Sequence, residues 1–329
     1  MRFRLLVNSL VVAGCFISPM LAASATSYSQ LFAFGDSLSD TGNASLASGG
    51  LFPGPNYAPG RFTDGPNTTP ATTGPFGLWV DQLAAKLSVV DPQPFLAGGT
   101  NYAVASAMTG SNGLDGITDQ INYFLAQHPA GALPTALYTI WGGANDLFSG
   151  NTTPASAAGV ADNLSANIKT LAGTGAKDFL WVNLPPLGLT PSGGSNSTLE
   201  QEVVAFNQEW AADIAGLQSQ GINAVGVDVF SLFLQIAQNP GAYGFTNITD
   251  PAQGLSGVNP NNYLFWDAEH PTTAVHGLVA DLAYNDLTAS PTPEPRSLAI
   301  TALGFGALLL AARVRRSRQN ADLRSRSSI

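Results

Sequence analysis

The residue pattern of the chain predicts an α/β fold built on a parallel sheet, and three observations carry that expectation. Short apolar runs alternate about five times with segments of helical spacing. The runs are continuously apolar rather than alternating, as in strands covered on both faces by crossover helices. The body between the two chain ends, about 265 residues with no repeat and no internal boundary, is long enough for one full core. Sheets of this kind place their sites at the C-terminal ends of the strands.

In chain order, residues 26–30 are a short polar lead and 31–34 a buried strand ended by Gly35. Residues 49–75, rich in Gly, Pro, Asn and Thr, form a long loop, and loops of that length are usually functional or disordered. Helical spacing covers 79–87 and 117–126, with a strand-like stretch at 101–107 between them. A β-prone apolar run at 136–141 leads to a helix over 155–171. A strand at 179–184 stops at Pro185-Pro186, and a long helix covers 199–220. A strand at 224–229 runs into a helix ending near Gln238. A second loop rich in Gly, Pro and Asn spans 239–262, and the last helix covers 272–287.

The charge is unevenly placed. The whole chain is −9, but only Arg61, Lys86, Lys169 and Lys177 lie between residues 26 and 290, against 20 of the 22 acids, so the body is −16. Four scattered cations cannot neutralise a run of phosphates, which excludes nucleic acid as a partner and argues against anionic lipid or pectin-like surfaces. A composition 45% hydrophobic is far from that of disordered chains. With three histidines and one cysteine, Cys15, a structural metal site has almost no ligands, and no cofactor motif is present.

The two ends carry addresses. Arg2 and Arg4, a mostly apolar stretch over 5–21 and Ala23-Ser24-Ala25 make residues 1–25 a secretory signal peptide cleaved before Thr26. Val12-Ala13-Gly14-Cys15 also fits a lipobox, but the apolar run continues past Cys15, where a lipid tether is normally polar. Residues 291–329 hold Pro293-Glu294-Pro295, an apolar stretch over 297–312, and Arg313, Arg315, Arg316 and Arg318. As a helix the apolar stretch would span about 24 Å, just short of a bilayer core, with the arginines favouring the cytoplasmic side. A tail anchor and a cleaved sorting segment both fit. Both place the body outside the cytoplasm, and the cleaved segment implies transient membrane association through the C-terminal end.

Chemistry centres on three places. Gly35-Asp36-Ser37 puts a serine on a tight exit from the first strand, expected at the start of the next helix, where its own N–H is free to face a developing oxyanion. Gly-Asp-Ser is also ordinary turn chemistry. Of the histidines, His128 precedes a proline in a turn and reads as solvated, and His276 reads as a surface or packed residue of the last helix. His270 differs, because Asp267 lies three residues before it, where a carboxylate can orient an imidazole. An acidic turn capping the next helix is the competing reading. Asn145, in Gly142-Gly143-Ala144-Asn145-Asp146 after the apolar run at 136–141, can aim an amide N–H across the strand ends, or serve as a helix cap.

Together these blocks resemble the GDSL (SGNH) hydrolases. Phe34-Gly35-Asp36-Ser37-Leu38-Ser39-Asp40-Thr41-Gly42-Asn43 is similar to their first block, Gly143-Ala144-Asn145-Asp146 to their Gly-x-Asn-Asp block and Asp267-Ala268-Glu269-His270-Pro271-Thr272 to their Asp-x-x-His-Pro-Thr block. Further stretches fit the lipases and esterases of that family: Gly60-Arg61-Phe62-Thr63-Asp64-Gly65, Asn183-Leu184-Pro185-Pro186-Leu187-Gly188, Phe206-Asn207 and residues 239–245. The resemblance runs from about 31 to 287. It implies a flavodoxin-like three-layer sandwich over 26–290, with a parallel sheet and helices on both faces. It also implies a secreted carboxylic ester hydrolase with Ser37 as nucleophile, His270 as base and Asp267 as its orienter. The oxyanion hole would be formed by Ser37, Ser106 and Asn145, while Asp40 and Asn43 fall to turn and loop support. The C-terminal end resembles the PEP-CTERM sorting signal of Gram-negative bacteria, implying cleavage near Pro-Glu-Pro by a sorting protease of the exosortase type and delivery to the cell surface or exopolysaccharide.

One position departs from the pattern. In Asn101-Tyr102-Ala103-Val104-Ala105-Ser106-Ala107, Ser106 stands where the family commonly has glycine. Its N–H survives, but if that site needs positive φ the serine costs roughly 1 kcal/mol or shifts the donor. Its hydroxyl could instead donate directly. Substrates consistent with these readings are a small-molecule or lipid ester, or an acylated polysaccharide whose O-acetyl groups are removed. A non-catalytic matrix protein retaining the fold is the alternative from another class. The aromatics Phe52, Tyr57, Phe62 and Phe76 of the 49–75 loop either wall the acyl site or pack the loop onto the body.

Overall fold

The computed structural model describes residues 27–113 and 115–289. The signal peptide, Cys15 and the PEP-CTERM-like tail with its apolar stretch lie outside the described residues. Among the described residues no helix is long and apolar enough to cross a membrane.

The chain folds as β1 (Leu31–Gly35), α1 (Asn43–Ala47), α2 (Trp79–Leu87), α3 (Ile117–Gln127), β2 (Leu137–Trp141), α4 (Ala144–Phe148), α5 (Pro154–Gly173), β3 (Asp178–Val182), α6 (Ser197–Ser219), β4 (Asn223–Val227), α7 (Val229–Gln238), β5 (Asn247–Pro251), β6 (Tyr263–Phe265) and α8 (Thr273–Thr288). β1 to β4 form a parallel sheet in chain order, and β5 and β6 a separate parallel pair. The continuous apolar runs are explained by burial on both faces. Phe32, Phe34, Tyr138, Ile140, Phe179 and Trp181 pack on one side with side chains of α3, α5 and α6. Leu31, Ala33, Leu137, Trp141, Leu180 and Val182 pack on the other with side chains of α2, α7 and α8. Successive strand residues thus serve opposite layers, and the result is the three-layer α/β sandwich.

The stretch expected to be strand-like at 101–107 is shorter. Tyr102 and Val104 donate to Ala33 and Gly35, and Ala33 donates to Thr100, so residues 100–104 extend the sheet beyond β1. The chain then turns, with Ala107 N–H bonded to Val104 O. Asp40 and Asn43 hold this edge in place. Asp40 accepts from the amides of Gly42, Asn43, Ala44 and Ala105, and Asn43 donates to the carbonyls of Asn101 and Ala103. With residues 100–104 counted, the order is second-first-third-fourth-fifth, the flavodoxin-like arrangement whose switch point falls at the ends of β1 and β2.

β5, within the 239–262 loop, left no apolar pattern because its residues are half-buried or exposed and it ends on Pro251. His128 is half-buried rather than solvated: its ring stacks on Phe124 at 4.1 Å and its Nδ1 bonds Phe124 O. His276 is fully buried, and neither ring nitrogen has a partner among the described residues.

That burial has a consequence for acid stability. Desolvation pushes the His276 pKa down to about 3, with His270 adding to the fall and Asp81 opposing it. The folded state therefore keeps the ring neutral while the unfolded chain takes up a proton below about pH 6.5. The His276 contribution to stability falls as pH drops from about 6.5 towards 3, by about 1.6 kcal/mol between pH 6.5 and 5. Urea unfolding at the two pH values should show that loss reduced by a similar amount in His276→Leu, whatever the variant's absolute stability.

Candidate active site

The first strand delivers the serine. A Cβ on Gly35 would lie 2.2 Å from Trp141 O, so only glycine lets β1 pass this close to β2 at its end. Gln120 of α3 brackets the Gly35 peptide, accepting from its N–H at 2.9 Å and donating to its carbonyl at 2.8 Å. Ser37 does not open a helix. It sits in a turn in which Ser39 and Asp40 N–H both bond Asp36 O, and α1 begins only at Asn43. The helix is delayed because the Asp40 carboxylate takes the amides of residues 42–44. The Ser37 N–H has no hydrogen-bond partner among the described residues.

The histidine arrives from the other end of the chain, on the turn between β6 and α8. Asp267 Oδ1 accepts from the amides of Glu269 at 2.8 Å and His270 at 2.7 Å, which closes the turn and fixes the carboxylate. Asp267 Oδ2 then lies 2.7 Å from His270 Nδ1, and His270 Nε2 lies 2.8 Å from Ser37 Oγ. A carboxylate only accepts, so Nδ1 carries the proton and Nε2 is left to accept from the serine hydroxyl. Burial pushes the Asp267 carboxyl up, but hydrogen bonds and charge from His270 and the amides of 269 and 270 outweigh it and hold it at about 2. Burial lowers the His270 pKa, and the bond and charge of Asp267, with Glu269 and Asp36, overcome this and raise it above 6.5. Both shifts favour an ionised Asp267 and a basic imidazole.

The second strand supplies an amide. Gly143 has φ 114, and a Cβ there would lie 2.8 Å from the Phe206 ring, so glycine lets the chain turn from β2 into α4. Asn145 Nδ2 donates to Ala107 O at 2.9 Å, which ties it to the 104–107 turn and leaves its second amide hydrogen unbonded among the described residues. Asp36, Ser37, Asn145 and His270 line one pocket of about 40 Å³, walled by Trp141, Phe148, Leu187, Phe233 and Phe265. Asp36 beside the serine is buried. Desolvation raises its pKa to about 7 against the opposing Leu38 amide.

Ser106 is exposed and does not line that pocket. It has φ 64 in the 104–107 turn, the left-handed backbone that favours glycine. Ser106→Gly should relieve about 1–2 kcal/mol of strain and lose about 0.4–1 kcal/mol to a freer unfolded chain. A net stabilisation on the order of 0.5 kcal/mol is expected in urea unfolding.

The loop aromatics divide. Phe52 and Phe76 are exposed, whereas Tyr57 and Phe62 stand against the Asp267–His270 pair rather than in the pocket wall. Tyr57 carried no sign of this in its local pattern. The nearby Gly60–Gly65 block, which grips the start of α8, was the only pointer. Among the described residues one carboxylate group, Asp162, Glu209 and Asp213, could hold a cation; it lies on α5 and α6 and does not line the Ser37 pocket.

The chain is similar to known esterases and lipases. Esterase EstA of Pseudomonas aeruginosa is 30% identical over 344 residues, covering 88% of this chain and 51% of that protein. A GDSL esterase/lipase of Arabidopsis thaliana is 28% identical, covering 87% of this chain and 98% of its own length. The chain spans about half the length of the first curated relatives it matches. A solved member of the lipolytic G-D-S-L family from Veillonella parvula has 17% identity and a TM-score of 0.46, covering 79% of this chain and 99% of that one. The GDSL-like lipase/acylhydrolase family model matches residues 31–283, which spans every residue of the Ser37–His270–Asp267 arrangement, and the chain belongs to that family.

Proposed function

We propose that the protein is a serine ester hydrolase working through an acyl-enzyme on Ser37. The observation that carries the reading is the unbroken relay of Ser37 Oγ, His270 and Asp267 at 2.8 and 2.7 Å. His270 Nε2 takes the hydroxyl proton as Ser37 attacks the ester carbonyl, then gives it to the leaving alcohol, and water releases the acyl group by the same route. Asp267 holds the imidazole in the required tautomer and stabilises its protonated form. The free Ser37 N–H and the unbonded Asn145 amide hydrogen are the donors for the oxyanion, while Ser106, which does not line the pocket, is left out of the set. An intact relay argues against a non-catalytic matrix protein.

The pocket size favours a short acyl group. Only about 40 Å³ is free beside Ser37, between apolar walls. The walls Trp141, Leu187, Phe233 and Phe265 are themselves buried and close-packed. This supports deacetylation, including that of O-acetylated polysaccharide, over cleavage of long-chain lipids. Export and surface or exopolysaccharide delivery by an exosortase-type protease rest on the two terminal sequences alone.

Hydrolysis of p-nitrophenyl esters from acetate to palmitate tests both parts. The expected order is acetate fastest, with kcat/KM at least tenfold lower by octanoate. Faster palmitate than acetate would remove the short-acyl reading, and no hydrolysis of any ester would remove the enzyme.

A further inference from the structure

We infer that Tyr57 is a positioning residue for Asp267, and that its hydroxyl sets the basicity of His270. The inference rests on reading Ser37, His270 and Asp267 as a catalytic relay. Tyr57 Oη donates to Asp267 Oδ2 at 2.8 Å, the same oxygen that receives His270 Nδ1 at 2.7 Å. Oδ1 is occupied by the amides of Glu269 and His270. A carboxylate offers about four lone-pair sites, and here each has one donor. Three of the four come from the local turn. Tyr57 is the one that comes from elsewhere in the chain, 210 residues away.

The loop carrying it is fastened to the same corner. Arg61 makes a two-point bond to Asp81 of α2 at 2.7 and 2.8 Å. Thr63 Oγ1 donates to Pro271 O, and Asp64 accepts from the Thr273 N–H at the start of α8. The Phe62 ring lies 5.1 Å from the His270 ring, and Tyr57 packs against Phe62 and Trp266. Residues 57–64 therefore clamp the turn that presents the histidine.

The electrostatic consequence has a definite sign. A donor on Oδ2 draws charge from the carboxylate and weakens its pull on the imidazolium. Without the hydroxyl, Asp267 attracts the imidazolium more strongly, and the His270 pKa rises further. The other titratable groups acting on the relay are Glu269 on the turn, Asp36 at the end of β1 and His276 in α8. Burial, and then Asp267, push the Tyr57 pKa to about 12, so its hydroxyl remains a donor throughout the working range.

Tyr57→Phe removes the hydroxyl and keeps the ring. Its kcat on p-nitrophenyl acetate should fall roughly tenfold with KM within about twofold, on the scale of one charge-assisted bond. The acid limb of kcat/KM should move to higher pH by about half a unit, and the downfield NMR resonance of the Nδ1 proton should shift. Phe62→Leu, which loosens the packing and keeps the hydroxyl, should leave the acid limb in place. An acid limb and resonance unmoved in Tyr57→Phe, or an equal move in Phe62→Leu, would overturn the role. If the wild-type protein hydrolyses no ester, the enzyme reading fails, while the resonance and the NMR titration of His270 still decide the Tyr57 contact.

Discussion

Ser37→Ala should lower kcat on p-nitrophenyl acetate by about 10⁶, to the rate left by binding and the oxyanion donors alone. The size follows from the geometry. His270 Nε2 has Ser37 Oγ at 2.8 Å as its acceptor-side partner, so without that oxygen the base has no nucleophile to activate. Asn145 and the Ser37 N–H remain, because alanine keeps the backbone donor. A steady-state assay at one pH for both proteins reads the change. Activity within tenfold of the wild type would place the nucleophile elsewhere.

The second large effect is expected from Asp267→Asn, about 10⁴ in kcat. The asparagine oxygen must take the Oδ1 position, because the Glu269 and His270 amides there need an acceptor. The NH₂ group is then forced to face His270 Nδ1. An amide donor makes Nδ1 an acceptor, so the proton moves to Nε2 and points at Ser37. The base is then in the wrong tautomer, with its position almost unchanged. The NH₂ would also meet the Tyr57 hydroxyl, which can turn to accept, so folding is largely spared. Single-turnover assays with p-nitrophenyl acetate separate this from a binding loss, since acylation should slow while KM changes little.

The fold was legible where a residue pattern has a single physical meaning. Phe32 and Phe34 face one layer while Leu31 and Ala33 face the other, and burial of both sets is what makes the run continuous. Asp267 and His270 could be paired from spacing because one tight turn brings them together, and the i,i+3 separation survives whether that turn is helical or not. The pattern at Ser37 suggests a helix start that does not form there, because the carboxylate of Asp40 diverts the amides that would begin it. β5 was invisible because its residues are not core. Tyr57 lay beyond local reasoning altogether, since its partner is brought to it by tertiary packing of the 57–64 clamp and not by any spacing along the chain.

The Ser106 turn joins sequence to strain most directly. Its φ of 64 is the backbone at which a glycine pattern and a serine differ in free energy. Asp40 holds the preceding amide, that of Ala105, and Asn145 holds the following carbonyl, that of Ala107, so the turn is fixed from both sides. The strain is thus borne by a segment tied to the first block through Asp40 and to the Gly-x-Asn-Asp block through Asn145.

Covalent trapping tests the acyl-enzyme on Ser37 most directly. The protein would be incubated with an aryl phosphonate ester, which leaves a stable phosphonyl group on an activated serine, and the adduct located by peptide mass spectrometry. A single adduct on Ser37, absent from Ser37→Ala and slowed in Asp267→Asn, is the expected result. Ester hydrolysis that continues without any adduct on Ser37, or an adduct confined to another residue, would contradict it.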